Sequence, residues 1–304
     1  MTIPIPEFWL IVTFAAAFFQ TLRFVLQKHL ATATLTPAGA TFARFLYSAP
    51  LVAVLLTSYL VSQGLSQTTL SARFWMLGAL GGFAQVAATI CVVKLFKARN
   101  FAVGITLKKT EAILAVLVGL VLLGETVSLY ALGAILLGLI GVLMLSTPPD
   151  IRGIGWGQMA NKATALGLGA GMLFAVSAVS YRGASLEVVG APLLRAGVTL
   201  AAVTMMQLVG MAIWLRLRET GQIRAVWRAR RVAVWIGLLS MAGSFCWFTA
   251  FTLQTAALVK AVGQVELVMS LAASVLLFRE RITLREITGM AVLCASIVVL
   301  VLVT

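Results

Sequence analysis

Long apolar runs, separated by short polar breaks, follow one another along the whole chain. A helix needs about 20 consecutive apolar residues to cross the hydrocarbon core of a membrane. Strands of a membrane β-barrel would instead alternate in hydropathy over about ten residues. The runs therefore predict an all-α integral membrane protein with ten transmembrane helices, at 8–30, 38–61, 74–97, 101–123, 127–147, 163–185, 191–215, 232–255, 258–278 and 284–303.

Two polar segments interrupt this series. Residues 146–161 contain two prolines, three glycines and an acidic residue, which is typical of a loop. Residues 216–231 are rich in arginine, and we interpret them as a connection outside the membrane. The first segment lies at the midpoint of the chain. It divides the chain into two five-helix repeats, 1–148 and 163–304, joined by a linker at 149–162.

The two halves of the chain are similar in sequence. Segment 96–126 aligns without a gap with segment 251–281, which places Glu111 opposite Glu266. Because five is an odd number of spans, the second repeat enters the membrane in the opposite orientation from the first. Inverted repeats of this kind are typical of secondary transporters, whose binding site lies between the repeats near the membrane midplane.

These features resemble the drug/metabolite transporter superfamily, specifically its ten-helix members built from two EamA-type repeats. The resemblance rests on the segments LLGETVSLYALGAILLGLIGVLML and LLFRERITLREITGMAVLCASIVVLVL, and on the second helices with Arg44 and Arg195. It implies a carrier that works by alternating access, commonly an exporter in the bacterial inner membrane. The expected partners are a small-molecule substrate, the lipid bilayer and protons as a coupling ion. No cofactor is expected, and the chain would act as a monomer or a homodimer.

Composition narrows the class of protein further. Of the 304 residues, 61% are apolar and 11% are charged, whereas soluble proteins average about 25% charged residues. One histidine and three cysteines cannot build a histidine-cluster metal site or a disulfide framework. No soluble module carries the net charge of +14, so this charge indicates contact with an anionic membrane surface and not with nucleic acid.

Nine charged side chains fall inside the predicted spans. Each costs about 2.5 to 3.5 kcal/mol at the centre of a lipid-facing helix. They must therefore pair, reach an interface or line a hydrated cavity. Seven bases against two acids favour an anion or a zwitterion, such as an amino acid, as the substrate. The nine residues are Arg23, Arg44, Lys94, Lys108, Lys109, Glu111, Arg195, Lys260 and Glu266.

Glu111 and Glu266 lie near the middle of their spans, where a short side chain cannot reach the interface. Each is interpreted as a carboxylate that contacts substrate or exchanges a proton, with a structural ion pair as the alternative. Lys108 and Lys109 either line a cavity or extend to the interface. Adjacent helical residues point about 100° apart, so we expect at most one of these lysines to face a narrow cavity fully.

The remaining candidates lie nearer the ends of their spans or are aromatic. Lys260 either binds substrate or extends to the interface. Arg44 and Arg195 either contact substrate or clamp neighbouring carbonyl groups. Trp247, deep in the eighth span, either stacks on a substrate ring or packs against another helix.

The sequence thus predicts a secondary active transporter of a small polar or amphipathic metabolite, with a passive channel or a membrane-embedded enzyme as alternatives. An enzyme would need an activated nucleophile, a metal motif or a histidine cluster, and the only histidine, His29, has no acidic neighbour. We therefore assign no catalytic residue. A channel would usually carry a carbonyl filter or a symmetric set of pore helices.

The basic residues of the connections predict the orientation. Fourteen follow odd-numbered spans and two lie on the opposite side. Because positive charge is retained in the cytoplasm, we expect both termini outside it, whereas the family resemblance implies termini inside. In a chain lacking Cys91, Cys246 and Cys294, a cysteine at Gly221 should resist an impermeant maleimide in intact cells, while one at Thr2 should react. The reverse pattern would show that the family topology holds.

Overall fold

The computed structural model describes residues 5–33, 35–64, 69–95, 107–146, 162–278 and 283–303, and every regular element in these ranges is an α-helix. The helices are α1 (Ile5–Ala33), α2 (Pro37–Ser62), α3 (Ala72–Leu95), α4 (Glu111–Leu123), α5 (Leu129–Ser146), α6 (Lys162–Leu186), α7 (Pro192–Arg218), α8 (Gln222–Arg228), α9 (Arg230–Leu253), α10 (Ala256–Val262), α11 (Val265–Phe278) and α12 (Leu284–Leu302).

Seven helices, α1, α2, α3, α6, α7, α9 and α12, are long and apolar enough to cross a membrane. They coincide with seven of the predicted spans. The fourth and fifth predicted spans correspond to the shorter helices α4 and α5, and the ninth corresponds to α10 and α11. The start of the fourth predicted span and nearly all of the predicted linker lie outside the described residues. Hydropathy did not predict α8, which lies in the arginine-rich connection.

Local sequence signals explain where two of these helices begin. Pro37 begins α2, and the hydroxyl of Thr36 accepts a hydrogen bond from the Gly39 N–H at 3.0 Å. Thr283 and Glu286 form a reciprocal capping box at the start of α12. Both arrangements satisfy N–H groups that a helix leaves unpaired at its first turn.

The ninth predicted span is interrupted near its middle. Helix α10 ends at Val262, Gly263 and Gln264 form a turn, and α11 begins at Val265. A side chain at position 263 would collide with the Trp247 ring, so the turn requires glycine there. A turn at Lys109 and Thr110 likewise precedes α4. The two breaks lie directly before Glu111 and just before Glu266.

Helices of the two halves pack against each other. α1 lies along α9 and α3 along α6, while α2 packs on α7 and α5 on α12. Small residues permit the closest of these approaches. A Cβ atom at Gly141 of α5 would lie only 2.7 Å from the backbone nitrogen of Leu293 in α12, so these two backbones are in direct contact.

Contacts between connections define two ends of the helix bundle. At the first, which we call the Glu219 end, the Thr36 hydroxyl donates to the Glu219 carboxylate, and the Thr36 N–H donates to Gln222 Oε1 at 3.2 Å. At the second, the Glu187 end, the Ser71 hydroxyl donates to Glu187 Oε2 at 2.8 Å. The connections after the first and seventh spans therefore share one end, and those after the second and sixth spans share the other.

The structure of the Glu219 end offers a better cysteine position for the topology experiment. Gly221 has a φ of +88°, a left-handed conformation that strains any residue with a side chain. The adjacent Thr220 is exposed. A cysteine at position 220 therefore reports on the same side of the membrane without this strain.

Candidate functional site

Seven of the charged side chains that the sequence places inside the membrane meet in the middle of the bundle. None of them is more than 8% exposed. They come from α1, α2, the turn before α4, α4 itself, α10 and α11. We call this cluster the charged centre, and it consists of Arg23, Arg44, Lys108, Lys109, Glu111, Lys260 and Glu266.

Five members of the charged centre form a row of alternating charge. Lys109 forms an ion pair with Glu266 Oε1, and Lys108 Nζ lies 3.6 Å from the same oxygen. Lys108 Nζ is also 3.5 Å from Glu111 Oε1, and Lys260 Nζ is 3.7 Å from Glu111 Oε2. Each carboxylate thus lies between two ammonium groups, which offsets the cost of burying these charges.

Gln20 of α1 connects this row to an aromatic wall. Its Nε2 donates to Glu266 Oε2 at 2.6 Å, and its Oε1 accepts from Trp247 Nε1 at 3.2 Å. The Lys260 ammonium lies 4.7 Å from the centre of the Trp247 ring and 5.5 Å from that of Phe174. These distances are typical of cation–π contacts, which stabilise a buried cation.

The two arginines of the charged centre bind neutral partners. Arg44 donates to the hydroxyls of Ser240 and Ser244, the latter at 2.9 Å. Arg23 Nη1 donates to Gln27 Oε1 at 2.9 Å. Neither arginine takes part in an ion pair within the part of the chain that the structure describes. Five cations face two carboxylates here, so the site has an excess of positive charge.

The charged centre is closed in this conformation. The space among Gln20, Arg23, Arg44, Trp247 and Lys260 has a volume of about 20 Å³, which accommodates one water molecule. A metabolite needs a far larger cavity. The helices around the centre must therefore move apart before a substrate can contact these charges.

Comparison with known proteins identifies the first half of the chain. Residues 7–147 match the model of the EamA-like transporter family. This half belongs to the EamA-like transporter family. The match confirms the resemblance stated above, and with the seven long apolar helices it makes the chain an integral, multi-pass membrane protein.

A search of curated proteins finds no sequence that matches this chain. A crystal structure of a protein with 16% sequence identity matches with a TM-score of 0.66, over 95% of this chain and 99% of the other. At that identity the likeness concerns the fold alone, and it extends across both halves.

The EamA-like half provides most of the charged centre, namely Arg23, Arg44, Lys108, Lys109 and Glu111. The second half contributes Lys260 and Glu266, together with the Trp247 wall. Of the eight predicted site residues, Arg195 alone lies apart from the centre. Its Nε donates to the carbonyl oxygen of Ser185 at 2.9 Å, so it clamps the end of α6.

Both lysines before α4 are buried, each 3% exposed. This differs from the expectation that one of them extends to the interface. The expectation assumed a continuous helix through Lys108 and Lys109. The structure has a turn at Lys109 and Thr110 instead, and both ammonium groups reach Glu266.

Sequence reasoning missed the serines that bind Arg44. Ser240 and Ser244 occupy an apolar span, where a lone hydroxyl usually bonds to its own helix. Their spacing of four residues, which places both on one helix face, was the available signal. This spacing indicates a binding site for Arg44 only if Arg44 lies opposite the two serines, and the sequence does not show that packing.

We expect Lys260→Met to destabilise the protein by about 1 to 3 kcal/mol, because Glu111 loses one of its two cations and keeps Lys108. Adding Glu111→Gln should restore part of this loss, since the carboxylate that lost a cation is then removed. Thermal unfolding in detergent measures both changes. Lys94→Met, at an exposed position, is the control. If the loss of stability in the double variant equalled the sum of the losses in Lys260→Met and in Glu111→Gln, the pairing of Lys260 with Glu111 would be contradicted.

Proposed function

We propose that the protein is a secondary active transporter of small anionic or zwitterionic amphipathic metabolites in the bacterial inner membrane. Two inverted five-helix repeats would alternate access to the charged centre. The observation that carries this proposal is the set of seven buried charges between the two halves. A purely structural cluster has no need for five cations against two carboxylates, whereas a substrate carboxylate would balance the excess.

The packing of the helices supports the inverted repeats. Exchanging each of the first five spans with its counterpart among the last five replaces α1 by α6 and α9 by α3. The contact of α1 with α9 then becomes the contact of α6 with α3, which the structure also has. The contacts of α2 with α7 and of α5 with α12 are then unchanged. A two-fold relation between the halves produces this pattern, with α10 and α11 together as the ninth span.

The ends of the bundle support ten crossings. Arg182, at the end of α6, pairs with Glu125 after α4 and donates to the carbonyl oxygen of Gln254 after α9 at 2.8 Å. Connections that follow even-numbered spans therefore meet at the same end. Such grouping is expected if every predicted span crosses the membrane once.

Proton coupling follows from competition for the lysines. A substrate carboxylate that binds Lys109 or Lys108 displaces the carboxylate of Glu266 or Glu111. A displaced carboxylate in a dry environment is costly as an anion and favours its protonated form. Binding of an anionic substrate and uptake of a proton are thereby linked, which distinguishes a coupled carrier from a passive channel.

We expect Glu111→Gln and Glu266→Gln to abolish accumulation driven by a pH gradient in liposomes, while counterflow exchange is partly retained. Glutamine keeps the size of the side chain and removes the exchangeable proton. A counterflow screen of amino acids and organic anions first identifies a transported compound. Glu187→Gln, at the Glu187 end, is the matched control. Unchanged gradient-driven uptake in both single variants and in the double variant would rule out these carboxylates as coupling groups.

Arg44 and Arg195 occupy corresponding positions of the two halves and provide a second test. We expect Arg44→Gln to raise the KM of an anionic substrate about tenfold, equivalent to the loss of about 1.4 kcal/mol of binding. Arg195→Gln should change stability and leave the KM unaltered, because Arg195 binds a carbonyl group away from the charged centre. Equal effects of the two substitutions on the KM would show that Arg44 does not contact the substrate.

A further inference from the structure

A large cleft lies beside the charged centre, between α3 and α7. Its volume is about 630 Å³, within the range of small-molecule sites. Phe83 and Trp214 border it and are 73% and 42% exposed, so it opens on the outer surface of the bundle. Lys94 and Glu219 border it toward the Glu219 end. We call it the α3–α7 cleft.

Gln207 forms the inner wall of the α3–α7 cleft and is 4% exposed. Its Nε2 donates to the carbonyl oxygen of Gly82 at 3.0 Å and to Gln85 Oε1 at 3.0 Å. A carbonyl oxygen only accepts hydrogen bonds, so this contact fixes which way the amide group points. Gln207 Oε1 is buried and has no hydrogen-bond partner in the described part of the chain.

One layer of side chains separates the cleft from the charged centre. The Tyr181 hydroxyl donates to Gln85 Oε1 at 3.1 Å and lies 3.2 Å from Gln207 Nε2. Gln85 and Tyr181 border the small space that Arg44 also borders. Gln207 borders the cleft and its two partners border the small space beside Arg44, so these three hydrogen-bonded side chains separate the two spaces.

A second cleft shows what is special about Gln207. It lies among α2, α7 and α9, has a volume of about 400 Å³, and is bordered by aliphatic and aromatic side chains. Aligning Arg44 with Arg195 places Leu56 opposite Gln207, and Leu56 borders this second cleft. The second cleft suits a hydrocarbon chain. The α3–α7 cleft is instead bordered at its inner end by Gln207, whose buried side-chain oxygen has no hydrogen-bond partner among the described residues.

We propose that the α3–α7 cleft is the first binding site of the transported molecule. Its ligand is a compact amphipathic molecule whose hydroxyl or ammonium group donates to Gln207 Oε1. The apolar body of the ligand packs on Phe83, Met206 and Met211, which border the cleft. Because a buried acceptor without a partner is costly, such a donor binds more tightly than an equally apolar molecule without one. This inference rests on the proposed transport function.

Cys91 borders the cleft and reports whether it is occupied. Cys246 and Cys294 are replaced by serine, and the rate at which N-ethylmaleimide modifies Cys91 is measured in lipid nanodiscs. The probes are 2-naphthol, which carries a donor, and 2-methoxynaphthalene, which does not. We expect 2-naphthol to reach half-protection at a concentration about fivefold lower, the effect of one hydrogen bond to a buried acceptor.

Three variants locate the effect. Gln207→Leu should remove the difference between the probes. Gly210→Leu should prevent protection, because a Cβ atom there meets no atom within 4 Å and the side chain extends into the cleft. Gly197→Leu, in the second cleft, is the matched control and should protect like the parent chain. Equal protection by both probes in the parent chain, or by neither, would overturn the proposal.

Flux in liposomes separates this proposal from the proposed function. A parent chain that transports, but in which 2-naphthol gives no preferential protection of Cys91, refutes the cleft as a binding site and leaves the transport function standing. A chain that shows protection but no saturable, counterflow-capable flux refutes transport itself. A loss of flux in Gly210→Leu, with normal flux in Gly197→Leu, would support the cleft as part of the route.

Discussion

The cost of charge inside a membrane is the constraint on which the structure depends. Five lysine and glutamate side chains lie too deep to reach water, and they are accommodated by alternating along a row from Lys109 to Lys260. The row crosses from the turn before α4 to α10 and α11, and of its four contacts only Lys108 with Glu111 lies within one half. Attraction across the row therefore adds to the van der Waals packing that joins the two halves, since lipid leaves no hydrophobic driving force between helices.

The interrupted helices bring these charges together. A continuous helix would direct Lys108 and Lys109 about 100° apart, and the turn at Lys109 and Thr110 removes that restriction. The turn at Gly263 and Gln264 has a similar role before Glu266, and Gln264 Nε2 donates to the carbonyl oxygen of Lys109 at 3.2 Å. Irregular backbone at membrane depth is tolerated where protein surrounds it. The break at Gln264 therefore satisfies a carbonyl oxygen of the break at Lys109, and both breaks lie just before a carboxylate of the charged centre.

Hydropathy predicts most of the helices, because the length of an apolar run depends on the membrane and not on tertiary contacts. The depth of Glu111 and Glu266 follows from the same runs. The roles of Arg44 and Arg195 do not follow from hydropathy. Both lie early in the second helix of their half, and only the packing of the helices brings Ser240 to Arg44 and the Ser185 carbonyl to Arg195. The α3–α7 cleft is equally invisible in sequence, because it depends on how two helices diverge.

The two similar halves carry unequal charges, so the two conformations of the proposed exchange need not be equal in energy. A transporter with inverted repeats obtains two conformations of comparable energy because each half takes up the packing of the other. Here the EamA-like half carries Lys108 and Lys109 where the second half has Gly263 and Gln264. A substrate that binds these lysines interacts with one half more strongly than with the other. A ligand shifts a conformational equilibrium only if it binds one conformation more tightly, and unequal charges in the two halves allow such a difference in the proposed transport cycle.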